Sequence, residues 1–303
     1  MATSGYKKLR VSDFSLQGAT EEITSDVVLP NSRIKSKGDA GKQSSSGSMS
    51  TEFFPDEIDD FLLASLLDSD SSLPATLGST QTYFTFIKEY YQGSAPVYQV
   101  FTGVQVGQLQ LTFEISSKVK VNLSLNGADN PDILVSGSEY TTVKGYCNGA
   151  TSYNTKSYNT LKGAISITAS GGEFTGDFSA LVKSCSLSIN QNPESTGALF
   201  QTKAIDNSLG DEVIDGSLDI WNTQDNAVVG LRNSAKQWVD GVQVEITLAE
   251  NLEDITDDKK YTISMKVSLK TPSETKDGNK LSFSIPYQVY DSDGLTISKT
   301  VVV

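Results

Sequence analysis

Long stretches of this chain alternate apolar and polar residues with a period of two, as strands buried on one face do. Over 118–127, Val119, Val121, Leu123 and Leu125 share one face, and Lys118, Lys120, Asn122 and Ser124 the other. LVKSCSLSIN does the same with Cys185, Leu187 and Ile189, and Tyr261 to Leu269 and Leu281 to Val289 alternate without a break. Further strands are predicted at ITSDVVL (23–29), Ser48–Phe54, TYFTFIKEY, YQVFTGVQVGQLQLTFEI, Val213–Trp221 and QVEITLAE. Pro286 has no N–H for a ladder, which puts its strand at an edge or at a bulge. Helical spacing occurs twice. One helix is predicted over 56–68, with Asp56 and Glu57 in its first turn and Ile58, Phe61, Leu62 and Leu66 as its apolar stripe. The other runs over about 225–237, with Asp225 as cap.

These elements come in the same order twice. GSMSTEFF at 47–54 and GSLDIWNT at 216–223 are both strands that begin with Gly-Ser and lead into a helix. Each is preceded by a strand and a long polar loop and followed by three strands. Identity between the halves is slight, so the shared order and spacing carry the reading of a tandem duplication. The predicted organisation is an N-terminal arm (1–18), a first unit (19–127), a connector or insertion (128–179), a second unit (180–290) and a C-terminal arm (291–303).

Composition narrows the function. The 303 residues carry a formal charge of −13 and no histidine, which removes Ser-His-Asp and Cys-His chemistry and argues against tight DNA binding through a basic surface. Cys147 and Cys185 have no metal-ligand spacing and are expected as free thiols, Cys185 in a core. Adjacent carboxylates such as Asp59/Asp60 or Asp257/Asp258 point in different directions and do not form a glycosidase pair. DSDSS at 68–72 lacks the Gly and terminal Glu of a calcium loop. No cofactor, metal or catalytic residue is expected. No apolar run is long enough to span a membrane and 1–18 has no signal-peptide core, so the chain is expected to be made in the cytoplasm and to stay soluble.

The order SGSMSTEFFPDEIDDFLLASLL, TYFTFIKEY, VYQVFTGVQVGQLQLTFEISSKVKVNLSLNG and LSFSIPYQVYDSDGLTISK resembles the major tail tube proteins of long-tailed, non-contractile bacteriophages. Thr85, Phe86 and Lys88, then Tyr98, Phe101, Thr102, Gly103 and Val106, stand where that family has its strand motifs. The match is best over 19–127, looser over 180–300 and absent over 133–160. The resemblance implies a mainly β fold of two tandem antiparallel β-sandwich or barrel units, each with one short helix, in rings stacked as a hollow tube. The family ring is sixfold, so a duplicated chain completes it as a trimer. Partners implied are copies of itself, tail tip or baseplate, tail terminator and tape measure proteins, with DNA passing unbound through the lumen.

A DNA conduit needs an acidic or neutral wall. Lumen-facing candidates are Ser48, Ser50, Glu52, Ser217 and Asp219, equally readable as an ordinary solvated face. The basic loop at 31–43, with Arg33, Lys35, Lys37 and Lys42, is expected to reach a neighbouring ring. Acidic receivers are Asp56, Glu57, Asp59 and Asp60, or Glu253, Asp254, Asp257 and Asp258. The rival reading is a β-sandwich adhesin or carbohydrate-binding module, with Tyr140, Tyr146, Tyr153 and Tyr158 stacking on sugars.

Overall fold

The computed structural model describes residues 5–23, 39–70, 72–93, 95–169, 175–196, 206–223, 226–236, 240–249, 259–277, 280–291 and 293–301. The major strands are β1 (Gln17–Ile23), β2 (Asp39–Glu52), β3 (Phe84–Gln92), β4 (Ala95–Glu114), β5 (Lys120–Gly127), β6 (Ala164–Thr168) and β7 (Val182–Asn190). They continue with β8 (Val213–Trp221), β9 (Val242–Leu248), β10 (Lys259–Leu269), β11 (Ser273–Asp277), β12 (Lys280–Val289) and β13 (Leu295–Val301). The helices are α1 (Asp59–Ser65), α2 (Ser138–Gly149) and α3 (Asn226–Ala235). The chain is mainly β, and its antiparallel sheet does not close into a barrel.

The ladders repeat. In the first half β2 pairs with β1 on one edge and β5 on the other, and β5 pairs with β4. In the second half β8 pairs with β7 and β12, and β12 pairs with β10 and β11. β10 and β11 together hold the place of the single long β4. The amino half of that long strand folds away to pair with β3 in the first half and β9 in the second, after α1 and α3 respectively. The two halves join where β4 pairs antiparallel with β7, from Glu114 opposite Ser184 to Gln108 opposite Asn190.

Gly47 and Gly216 occupy matching positions, and close approach explains both. A Cβ on Gly47 would lie 2.5 Å from the Leu16 Cα, and one on Gly216 would lie 2.0 Å from the Ser186 carbonyl oxygen. The serines beside them match too. Ser48 N–H donates to Ser15 Oγ at 2.9 Å, and Ser217 N–H donates to Ser186 Oγ at 3.2 Å. The Gly-Ser strand is used twice because each copy admits a neighbouring strand at close range.

Alternation fills the core as the pattern predicts. Leu123, Leu125, Leu109, Leu111, Leu187, Ile189, Leu218, Ile220, Phe283, Ile285 and Tyr287 are all buried. Each large apolar side chain contributes roughly 1.5–3 kcal/mol by burial.

Several expectations change. α1 is shorter than 56–68: Asp56 precedes it at a positive φ of 68°, and the acidic residues of its first turn are Asp59 and Asp60. The N-terminal arm is anchored. Asp13–Phe14 pairs with β2, and Leu16 is fully buried. The C-terminal arm is largely strand β13, paired with β10. The connector contributes α2, which its polar, Gly- and Thr-containing sequence hid, and β6, which covers the outer edge of β9. Pro286 sits in an interior strand, at the bulged alternative: the β12 ladder shifts by one residue between Leu269 opposite Tyr287 and Ser273 opposite Ser284. Most of the strand predicted at 23–29, the Asp225 cap and the stretch 250–258 lie outside the described residues.

Candidate functional site

Two surfaces stand out: the polar face of the long sheet and the seam between the halves. Pairing register carries the polar positions across the sheet in rows. Ser50 lies opposite Asn122, which lies opposite Gln110, and Gln110 faces Ser188. In turn Ser188 lies opposite Asp215, and Asp215 opposite Gln288. A second row runs through Thr112, Ser186 and Ser217. Ser48, Ser50, Glu52, Ser217 and Asp219 all fall on this one face, opposite the buried Met49, Leu218 and Ile220.

Charge on the face is sparse and leans acidic. It carries Asp13, Glu22, Glu52, Glu114, Asp215 and Asp219 against Lys42, Lys120, Lys183 and Lys280. Lys120 is matched by Glu114 at 2.9 Å. Asp219 accepts from Ser184 Oγ at 2.6 Å, and Glu52 from the Ser157 hydroxyl. Such a face presents hydroxyls and amides rather than a run of cations.

The seam is held by more than its ladder. Gln108 donates to Ser188 Oγ at 2.9 Å. Gln191, buried just beyond β7, reaches the Ser65 carbonyl at the end of α1 as well as Glu212, whose carboxyl burial pushes up. On the other layer, the residues leading into α1 meet β10 and β13. Lys299 donates to Asp56 at 2.6 Å and to Asp59 at 2.5 Å, and Lys259 pairs with Asp56 as well. Tyr261 donates its hydroxyl to Asp59 at 2.5 Å and accepts from the Asp56 N–H at 3.2 Å. Burial works to raise the Asp56 pKa, yet the hydrogen bonds from Lys259 and Lys299 outweigh it and hold the carboxyl below its usual value. Burial opposes the charge on Lys299 too, and the two aspartates reverse that, raising its pKa. Tyr261 is pushed well up by burial first and Asp59 second. Phe53, Tyr158 and Tyr261 pack as an aromatic cluster beside the lock, with centroids 5.1–5.8 Å apart.

The four carboxylates at α1 that were expected to receive a basic loop are therefore engaged inside the chain. Glu57 is buried and takes Arg10 Nε at 2.8 Å, and Asp60 takes Lys7 at 2.5 Å. Lys42 belongs to strand β2 rather than to a loop, while Arg33, Lys35, Lys37, Glu253, Asp254, Asp257 and Asp258 lie outside the described residues. The cations of the lock, Lys259 and Lys299, were not visible as site residues in the sequence, because they lie 203 to 243 residues from their partners.

The tyrosines are packing residues. Tyr158 is buried, Tyr140 lies 5.3 Å from Tyr98, Tyr146 stacks on Tyr6 at 4.9 Å, and Tyr153 faces Lys7. Asp68 uses its carboxylate on the N–H groups of Asp70 and Thr76. Among the described residues no group of three His, Cys, Asp or Glu side chains is arranged to hold a metal. Among them, too, no helix is long and apolar enough to cross a membrane.

A search of curated proteins finds no match. A family model described as phage tail tube protein matches residues 2–280, nearly the whole of a mainly β chain with a polar sheet face, and the chain belongs to that family as a structural subunit of the phage tail.

Proposed function

We propose that three copies of this chain close a ring with six similar lobes, and that rings stack as the hollow tail tube of a long-tailed, non-contractile phage. The polar face of the long sheet lines the lumen and lets DNA pass at genome ejection without holding it. The observation that carries this reading is the repeated strand order, joined by an in-chain seam between β4 and β7. A duplicated chain that makes one such seam internally needs one more per copy to close a ring. Closing it also removes exposed sheet edges.

The basic loop with Arg33, Lys35 and Lys37 is assigned to the neighbouring ring. The α1 carboxylates are occupied, so its receiving surface is the acidic stretch with Glu253, Asp254, Asp257 and Asp258. Opposite charge there sets register more than affinity. Assembly takes place in the host cytoplasm, around a tape measure protein, between tail tip and terminator proteins.

Electron microscopy of the concentrated protein, nucleated with tail tips, tests the reading through end-on class averages. Hollow rings of three chains with six lobes are expected. Rings of six chains would retain the tube and overturn the duplication, and monomers alone would overturn the ring.

A further inference from the structure

The in-chain seam is a template for the one between chains. Within the chain, the β4 edge from Gln108 to Glu114 takes the β7 edge from Ser184 to Asn190. The ladders fix the equivalent edges. Leu111 lies opposite Val121, and Val121 opposite Thr51; likewise Glu274 lies opposite Phe283, and Phe283 opposite Ile220. Glu274 in β11 therefore holds the place of Leu111, and Lys276 that of Phe113. In the same way Phe14, opposite Met49, holds the place of Cys185, opposite Leu218. Leu16 then matches Leu187, and Ser15, hydrogen-bonded to Ser48, matches Ser186. Among the described residues the registers pair β11 with β12, and Asp13–Phe14 and β1 with β2, and give neither edge a second partner strand.

Resting on the ring reading above, we propose that β11 of one copy pairs antiparallel with the Asp13–Gln17 edge of a second copy, and that Glu274 and Lys276 guard this edge in the free subunit. The register places Glu274 opposite Leu16, Thr275 opposite Ser15 and Lys276 opposite Phe14. The two seams differ in chemistry. The in-chain seam sets Leu111 against Leu187 and Phe113 against Cys185, all buried. The chain-to-chain seam sets a carboxylate and an ammonium at those two places, both exposed in the single chain. Pairing must dehydrate them, which opposes spontaneous edge-to-edge association. Glu274 is already matched by Arg232 of α3, so one of the two charges enters the seam with its own counterion. The second copy fits this edge because it carries the matching strand, with Ser15 offered on the polar side as Ser186 is in the chain.

Cysteine cross-linking of the full chain in a Cys147→Ser background reads the register. Ser15→Cys with Thr275→Cys is expected to link assembled rings into covalent trimers at least tenfold faster than the off-register pair Ser15→Cys with Ser273→Cys. Thr112→Cys with Ser186→Cys, the in-chain equivalent, serves as the positive control. Rings that form but link no faster at 15/275 than at 15/273 would overturn the register and leave the ring reading intact. An absence of rings would overturn both. For the guard, Glu274→Val with Lys276→Val is expected to tighten self-association of the free subunit at least tenfold by sedimentation velocity. Unchanged or weaker association of the folded variant would refute the guard, and Lys276→Val alone decides the matter where the double variant does not fold.

Discussion

Lys299→Met tests whether the ionic lock between the halves stabilises the chain. Methionine keeps the stem beside Tyr261, whose ring centroid lies 5.5 Å from the ammonium, and removes only the charge. Two contacts at 2.6 and 2.5 Å disappear. Asp56 keeps Lys259, but Asp59 is left with the Tyr261 hydroxyl alone. Removing one partner of a fully buried pair costs about 3–5 kcal/mol, and hydrogen bonds to charged groups contribute about 1.5–3. The side chains here are 15–19% exposed, so the expected loss is about 2–3 kcal/mol. With an unfolding entropy of about 2.1 cal/mol/K per residue, this lowers Tm by about 3–5 °C in calorimetry. The pH dependence has a definite sign. Asp56 has a depressed folded pKa, so its contribution is present above its unfolded value near about 4 and is lost as pH falls through the folded one. Lys299 has a raised pKa, so its part is present below about 10.4 and is lost only above that. The gap between wild type and Lys299→Met is therefore expected to be full at neutral pH and to narrow in acid. A Tm shift under about 1 °C at pH 7, or a gap that widens in acid, would refute the reasoning.

Gly216→Ala should destabilise by at least about 2 kcal/mol in urea unfolding, because the new Cβ meets Ser186 O at 2.0 Å and Tyr287 Oη at 2.4 Å. Gly145→Ala, in α2 with nothing within 4 Å, should be neutral or gain about 0.5–1 kcal/mol. Thiol labelling of the native chain should leave Cys185 silent, since it is buried and burial first of all pushes its thiol up to about 12; Cys147, half-buried and also raised by burial, should react slowly, and both should react quickly in guanidinium. Ser48→Lys with Ser217→Lys places two cations on the polar face and should give assembled tubes salt-dependent DNA retention, measured by filtration at two ionic strengths, with no retention in wild type.

How much of this could be read from the sequence follows from which interactions are periodic. Period-two alternation is local, so β5, β7, β8, β10 and β12 were legible almost to the residue, and Val213–Trp221 came out with its ends correct. The Gly-Ser pair was legible as a repeat, although its cause, a neighbouring strand pressed against Gly47 and Gly216, is a tertiary fact. α1 was overextended because Asp56 and Glu57 look like first-turn acids, whereas Asp56 takes a positive φ to reach two lysines of the other half. α2 was missed because its residues have little helical periodicity; of its side chains only Val143 is buried. The termini looked like arms because each contributes short or weakly alternating segments, and what fixes them is pairing with strands far along the chain. The candidate polar face was legible as a set of residues. Its continuity from β2 to β12 was not, since that depends on β4 meeting β7.

The proposed duplication changes what each seam is free to become. When two units share a chain, their seam forms at an effective concentration set by the connector and needs no encounter between subunits. It can be as apolar and as strongly locked as folding allows without any aggregation hazard, and Leu111 with Leu187 and the Asp56–Lys299 pair are of that kind. A seam between copies is different, because an apolar open edge is a template for indiscriminate pairing before the tube has begun. In the proposed ring the two kinds of seam alternate, so two edges at matching positions are under opposite demands. That accounts for β4 presenting leucine and phenylalanine where β11 presents glutamate and lysine on an otherwise matching strand. If the demands are opposite, exchanging the residues should exchange the behaviour. Leu111→Glu should weaken the in-chain seam by about 3 kcal/mol or more, the loss of a buried leucine with a buried charge added. Lys276→Val should leave the stability of the single chain within about 0.5 kcal/mol, as for ordinary surface substitutions, whereas adding Glu274→Val also unpairs Arg232. Equal losses at the two positions in chemical denaturation would show that β11 is part of the folded core rather than an edge held open for another copy.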